Sequence, residues 1–163
     1  MLAKAYYQSP LGIIEIQGSE NGIASVKLKT EPSHPSEEIP ASLQVSVQQL
    51  DEYFRRKRKV FDLKLDFGSA TDFYQKVWNA LLEIPYGQSR SYAYIAEKIG
   101  SPKAVRAVGL ANRNNPIAFI IPCHRVIGKS GNLQGYFYGL NTKRKLLQLE
   151  NPMSFAEQGR LFN

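Results

Sequence analysis

At Gly68 the apolar residues change their period, and that change restricts the chain to a fold with two differently built parts. Upstream, FDLKLDF alternates strictly, with Phe61, Leu63, Leu65 and Phe67 on one side, as in a half-buried strand. Downstream, Phe73, Val77, Leu81 and Ile84 recur at intervals of four, four and three, as in a helix with one apolar face. A boundary here divides the 163 residues into an amino-terminal domain over 1–67 and a carboxy-terminal domain over 68–163, together an α/β (α+β) protein.

In the first part, AYYQSPLGIIEIQG and GIASVKLKT carry β-branched and aromatic residues between turn signals at Ser9-Pro10, Gly18 and Asn21-Gly22, and read as strands. TEPSHPSEEIP, with three prolines, reads as a surface loop that leaves His34 in solvent. From Ala41, the residues Leu43, Val47, Leu50 and Phe54 predict an amphipathic helix opened by Pro40. It runs into RRKRK, Arg55 to Lys59. Such a run is either a nucleic-acid patch or a set of cations complementing the dipole in the helix's last turn, and the second reading is preferred.

Beyond the boundary, PYG (Pro85 to Gly87) stops the first helix. Ser91 is a good N-cap for YAYIAEKI, Gly100 stands where a C-cap is expected, and Ser101-Pro102 reads as the cap and first-turn proline of another helix. Two short helices around a tight Gly-Ser turn form a helix-turn-helix candidate. On the second, Lys103, Arg106, Leu110 and Arg113 share one face, while Ala104, Ala107, Gly109 and Ala111 keep the helix slim. After NRNNP, the apolar run Ile117 to Ile121 reads as a buried strand leading to Pro122-Cys123. GKSGNLQG is a loop whose Lys129 serves a turn or touches a phosphate, and Leu146, Leu147 and Leu149 mark a last helix with Asn141 as its N-cap.

The net charge of +7 is unevenly spread. Nine Lys/Arg balance nine Asp/Glu from Met1 to Asp66, whereas Phe67 to Asn163 carries twelve against five. Between Arg90 and Lys145 ten basic residues face a single acid, Glu97, which is the footprint of a surface that binds a polyanion such as nucleic acid. The amino terminus has no signal-peptide core and no stretch approaches about 18 apolar residues, so an intracellular, cytoplasmic protein with no membrane partner is expected.

One cysteine excludes an internal disulfide, and Cys123 with His124 and His34 cannot complete a structural zinc site of the usual Cys/His kind; no metal or organic cofactor is implied. In IPCHRVIG the lone thiol adjoins an imidazole. A thiol reacts as its thiolate and needs a base or a cation beside it at neutral pH. Adjacent residues seldom face each other, so His124 is expected to act on Cys123 through a water molecule, with Glu150 as the carboxylate that orients the ring. These features leave open an acyl-transferring cysteine hydrolase, a noncovalent DNA-binding protein, and a protein that accepts an alkyl group on sulfur and is spent by doing so.

PCHRVIG, SYAYIAEKIGSPKAVRAVGLANRNNP, FYQKVWNALLEIPYGQ, LLQLE and SPLGIIEI together resemble the O6-alkylguanine-DNA alkyltransferases over essentially the whole chain. The resemblance implies a ribonuclease-H-like first domain and a mainly helical second domain with a winged helix-turn-helix-like motif. It implies a monomer acting once on double-stranded DNA that contains O6-alkylguanine, with O4-alkylthymine as an alternative base. Cys123 would accept the alkyl group, His124 would be the water-mediated base, Glu150 its orienting partner and Asn115 the brace of the active-site turn. Tyr92 would donate toward guanine N3, and Val126, Tyr136, Phe137 and Tyr138 would line the base pocket. Arg106 would fill the gap left by the flipped nucleotide, and Lys103, Ala104, Leu110, Arg113, Arg125 and Lys129 would lie against DNA.

Overall fold

A computed structural model describes residues 2–153, so the last ten residues of the expected carboxy-terminal domain lie outside the described residues. The chain forms two compact units, Met1–Ser69 with Pro116–Ile120, and Ala70–Asn115 with Ile121–Asn163. The apolar run from Ile117, read from the sequence as part of the second domain, therefore supplies core to the first unit as far as Ile120.

In the first unit, β1 (Ala3–Ser9), β2 (Gly12–Ser19) and β3 (Gly22–Leu28) form an antiparallel sheet in sequence order. Alternation buries Ala5, Ile14, Ile16, Ile23 and Val26 on one side, and α1 (Gln44–Phe54), entered through a tight turn at Ala41–Leu43, contributes Leu43, Leu50, Tyr53 and Phe54. The outer edge of β3 is closed by two short parallel bridges, Ile23 to Leu65 and Val26 to Ile117. The segment 61–67 thus keeps the expected extended alternation but joins the sheet at one bridge only, through Ile23 N–H to Lys64 O and Asp66 N–H to Ile23 O, both 2.8 Å. Ile117–Ile121 is buried as expected but does not continue as a strand. Phe119 turns the chain with a left-handed φ of 70° and packs edge-on against Phe54 at 5.8 Å.

In the second unit, α2 (Asp72–Leu82) is capped by Thr71, whose hydroxyl accepts from the Tyr74 amide, and buries Val77, Trp78, Ala80 and Leu81. β4 (Arg90–Ser91) pairs in parallel with β5 (Val126–Ile127), a two-residue clamp that ties the start of the helical hairpin to the chain leaving Cys123. Ser91 caps α3 (Tyr92–Lys98) by accepting from the Tyr94 amide, and Gly100, at φ 79°, supplies the left-handed residue that ends it. α4 (Val105–Arg113) starts later than Ser101-Pro102 predicts: Ser101 to Ala104 forms a separate turn, and Ala104 is the N-cap. Gly139, not Asn141, precedes α5 (Leu140–Glu150), because the chain enters that helix from a φ of 93° that glycine tolerates. No described helix is long and apolar enough to cross a membrane.

Candidate active site

Cys123, His124 and Arg125 form one 3-10 turn that is buried along its whole length. Pro122 opens it, and the turn is held by Cys123 N–H to Ile121 O at 2.8 Å and Arg125 N–H to Pro122 O at 2.9 Å. Two asparagines brace it from α4 and its exit. Asn115 Nδ2 donates to Ile121 O at 2.8 Å, and Asn112 Nδ2 donates to Cys123 O at 3.3 Å. Asn112 is not among the residues singled out from the sequence, although its place beside Val108 and Ala111 puts an amide at a core position.

The end of α5 delivers Glu150 into this turn. Its Oε2 meets His124 Nε2 at 2.7 Å and accepts from Arg125 Nη2 at 3.0 Å, while Oε1 accepts from Arg125 Nε at 2.8 Å and from the Gly87 amide at 3.1 Å. Arg125 Nη1 donates to Ile84 O at 2.7 Å, and its guanidinium lies over the Tyr86 ring at 5.8 Å. The PYG stop after α2 is therefore also a wall of the charge cluster. Arg125, expected on the DNA surface, is only 7% exposed and is consumed by Glu150 and Ile84. Its two-pronged geometry is the reason: a guanidinium fork satisfies a buried carboxylate in a way a point charge does not.

These bonds decide protonation. Burial opposes ionisation of Glu150, yet the neighbouring His124 and Arg125 overcome it and hold the carboxyl well below the usual carboxylate range. Burial pulls His124 below its ordinary value, and Arg125 adds to the pull; the attraction of Glu150 opposes both. Burial, with the charge of Arg125 added to it, outweighs Glu150, and the imidazole rests neutral. Its Nε2 then donates to Glu150, leaving Nδ1, which has no hydrogen-bond partner among the described residues, as the atom able to take a proton. Neither ring nitrogen is bonded to Cys123.

The thiol is shielded in the same way. Burial raises the Cys123 pKa, while Asn115, the charge of Lys143 and Tyr136 all favour the thiolate. Lys143, which sequence reasoning missed, is fully buried in α5, donates to Gln134 O at 2.8 Å and Gly135 O at 3.4 Å, and is pushed down to about 8, chiefly by burial. It also lies 5.9 Å from the Tyr92 ring. Tyr92 is raised by burial and then by the charge of Cys123, so it keeps its proton.

The remaining expected residues fall into two sets. Val126 and Tyr136 are buried beside the turn, Tyr138 is half-buried against Tyr136, and Phe137 is 60% exposed with the Arg113 guanidinium 5.8 Å from its ring. Lys103, Arg106, Leu110, Arg113 and Lys129 are exposed, while Ala104 is half-buried; Lys103 lies in the turn before α4 rather than on the helix.

A buried neutral imidazole and an ionised buried carboxylate give the second unit a defined acid sensitivity. Both groups have depressed folded-state pKa values, so below pH about 6.5 the unfolded chain binds the His124 proton first, and below about 4.5 it also binds the Glu150 proton. Stability is expected to be level above pH about 6.5 as far as these groups determine it, and to fall by about 1.4 kcal/mol per pH unit per proton below it. Urea unfolding from pH 7.5 to 5 checks this, and His124→Gln should flatten the upper part of the slope.

Comparisons with known proteins agree on the chain's surroundings. A family model described as 6-O-methylguanine DNA methyltransferase, ribonuclease-like domain, matches residues 2–67, and one described as 6-O-methylguanine DNA methyltransferase, DNA binding domain, matches residues 72–152. The methylated-DNA–protein-cysteine methyltransferase of Mycobacterium tuberculosis is 46% identical over 153 residues, 91% of this chain and 92% of that protein. The Methanosarcina acetivorans protein of the same name is 48% identical over 151 residues, 90% of this chain and 96% of its own. A crystal structure of Mycobacterium tuberculosis O6-methylguanine methyltransferase is similar, with a TM-score of 0.83 at 44% identity over 99% of both chains. A Mycobacterium tuberculosis OGT crystal structure in complex with DNA also has a TM-score of 0.83, at 46% identity over 91% of this chain and 93% of the other.

Proposed function

The chain belongs to the 6-O-methylguanine DNA methyltransferase family, and from that premise we propose that it repairs O6-alkylguanine in duplex DNA by moving the alkyl group irreversibly to Cys123. The observation that carries this reading is the buried Cys123 turn joined to the His124–Glu150–Arg125 charge system. A cytoplasmic site of action, where DNA and a reduced thiol coexist, fits the same chemistry.

In the proposed step the Cys123 proton passes through a water molecule to Nδ1 of His124, and the carboxylate of Glu150 steadies the imidazolium. The thiolate pair forms the S–C bond while the C–O6 bond breaks toward the purine. Tyr92 donates its hydroxyl proton toward guanine N3, so the purine leaves without a full negative charge. Over the whole step the thiol loses one proton to His124 and the purine gains one from Tyr92, and the imidazolium proton returns through solvent to the tyrosinate, so both residues end as they began. The ammonium of Lys143 favours the thiolate by its charge. Asn115 braces the turn, and Val126, Tyr136, Phe137 and Tyr138 frame the base. A thioether resists water, so each molecule acts once.

A base inside the duplex cannot reach a buried sulfur, and extrusion costs a few kcal/mol, less for a poorly paired base. The exposed side of α4 with the turn before it is suited to extrusion: Lys103 and Arg113, joined by Lys129 from the loop after β5, meet phosphates, Ala104 and Leu110 lie in the minor groove, and Arg106 replaces the extruded nucleotide in the stack. Arg106→Ala should therefore slow repair in duplex DNA about tenfold, equivalent to about 1.4 kcal/mol, while leaving reaction with the free modified base near wild type. Equal losses on both substrates would remove the intercalating role.

The decisive experiment incubates the protein with a duplex bearing O6-methylguanine and weighs it. One methyl in place of one hydrogen, located on Cys123, with a single turnover, is the expected outcome. Tight binding without mass gain would make the protein a lesion binder, and repeated turnover would make it a hydrolase.

A further inference from the structure

The basic run Arg55–Lys59 lies in the first unit, whereas the residues assigned to the transfer reaction lie in the second, and the structure removes the reason for treating the run as a helix cap. α1 ends at Phe54 with no basic residue in its last turn. Its terminal carbonyls are met by backbone amides: Arg56 N–H donates to Tyr53 O at 3.0 Å and Lys57 N–H to Glu52 O at 2.8 Å. That pattern normally has glycine at the left-handed position, yet this chain has Arg56 there at φ 61°. A cation stands where backbone geometry favours glycine.

Charge is concentrated at the same place. Up to Asp66 the chain is neutral overall, nine cations against nine acids, but five of the nine cations stand in these five positions. Asp51 takes Arg55 at 2.9 Å and Glu52 takes Arg58 at 2.8 Å, and the segment from Asp51 to Val60 as a whole carries five cations and two acids. Arg55, Arg56, Lys57 and Lys59 are exposed. Outside that segment, residues 1–50 and 61–66 carry four cations against seven acids, so the positive excess of the unit is confined to this hydrogen-bonded turn, and in a DNA-binding family its sign suits a phosphate backbone.

We infer that the Arg55–Lys59 turn is a second, sequence-independent contact to duplex DNA phosphates, separate from the helix-turn-helix surface. Each phosphate contact contributes about 0.9 to the slope of log affinity against log salt. The test measures that slope on an undamaged duplex of about four helical turns, using full-length protein with Arg56, Lys57 and Lys59 changed to Ala. A slope shallower by about 2 to 3 is expected, with transfer to the free modified base unchanged. Arg56→Gly, which suits the backbone, should make the slope shallower by about 0.9 with a Tm no lower than wild type. As a control for net charge, Lys4, Lys27 and Lys64, exposed elsewhere on the same unit, are changed together. The inference is overturned if the basic-turn variants keep the wild-type slope, or if the control lowers it equally. It is also overturned if the triple change leaves the DNA slope intact but abolishes binding to phosphatidylserine vesicles, since the surface would then be a membrane contact.

Discussion

Glu150→Gln is expected to lower the unfolding free energy by about 3–5 kcal/mol and to slow alkyl transfer by about 10²–10⁴-fold. The size follows from what the carboxylate holds. It accepts from Arg125 Nε and Nη2, from the Gly87 amide, and pairs with His124, all in a buried setting. An amide of the same shape leaves the Arg125 guanidinium buried without a counter-charge and turns an NH₂ toward other donors. Breaking one partner of a buried pair is far more damaging than replacing both. The double variant Arg125→Met/Glu150→Gln should therefore recover much of the lost stability, because an apolar side chain of similar reach needs no counter-charge. It should not recover the transfer rate, since the imidazolium formed during transfer would still lack a carboxylate. Urea unfolding and single-turnover mass measurements read the two effects separately. If the double variant regains both, Glu150 is a structural residue only; if Glu150→Gln loses neither, the charge cluster has no part in stability or transfer.

Much of this arrangement is legible in the sequence because it rests on local patterns. The change of period at Gly68 falls beside Ser69, where the first stretch of the first unit ends, Ser91 and Gly100 mark the ends of α3, and the adjacent Cys123 and His124 lie in one buried turn. Burial of charged residues is much harder to see. Arg125 looks like another member of the basic surface, and only the arrival of Glu150 from the end of α5, 25 residues later, shows that it is spent internally. Lys143 carries a usable signal: with Leu146, Leu147 and Glu150 it follows the 3, 4 and 7 spacing of a core stripe, and a lysine on such a stripe needs an explanation. The end of α1 misleads for a different reason. Arg56 occupies the left-handed position where glycine would have signalled the stop, so in the sequence the basic run reads as part of the helix. Phe119 hides its turn likewise, since a phenylalanine at positive φ inside an apolar run gives no warning in the sequence.

Cys123→Ser is expected to abolish transfer completely while leaving affinity for an O6-methylguanine duplex within about threefold of wild type, about 0.7 kcal/mol. Serine keeps a small polar atom near Asn115 and Tyr136, so the turn's hydrogen bonding is largely preserved, and Asn115 still braces Ile121 from outside the substituted side chain. What it removes is an atom that ionises within reach of His124. A hydroxyl is a weak nucleophile without a strong adjacent base, and an imidazole whose pKa is depressed by burial is poorly matched to it. The substitution therefore separates binding from chemistry: base extrusion and groove contacts persist, and the S–C bond has no sulfur to form on. Gel-shift affinity and intact mass, measured on the same preparation, give both readings. A methyl appearing elsewhere on the variant would show that the acceptor is another residue, and loss of binding together with transfer would show that Cys123 holds the turn rather than serving as its nucleophile.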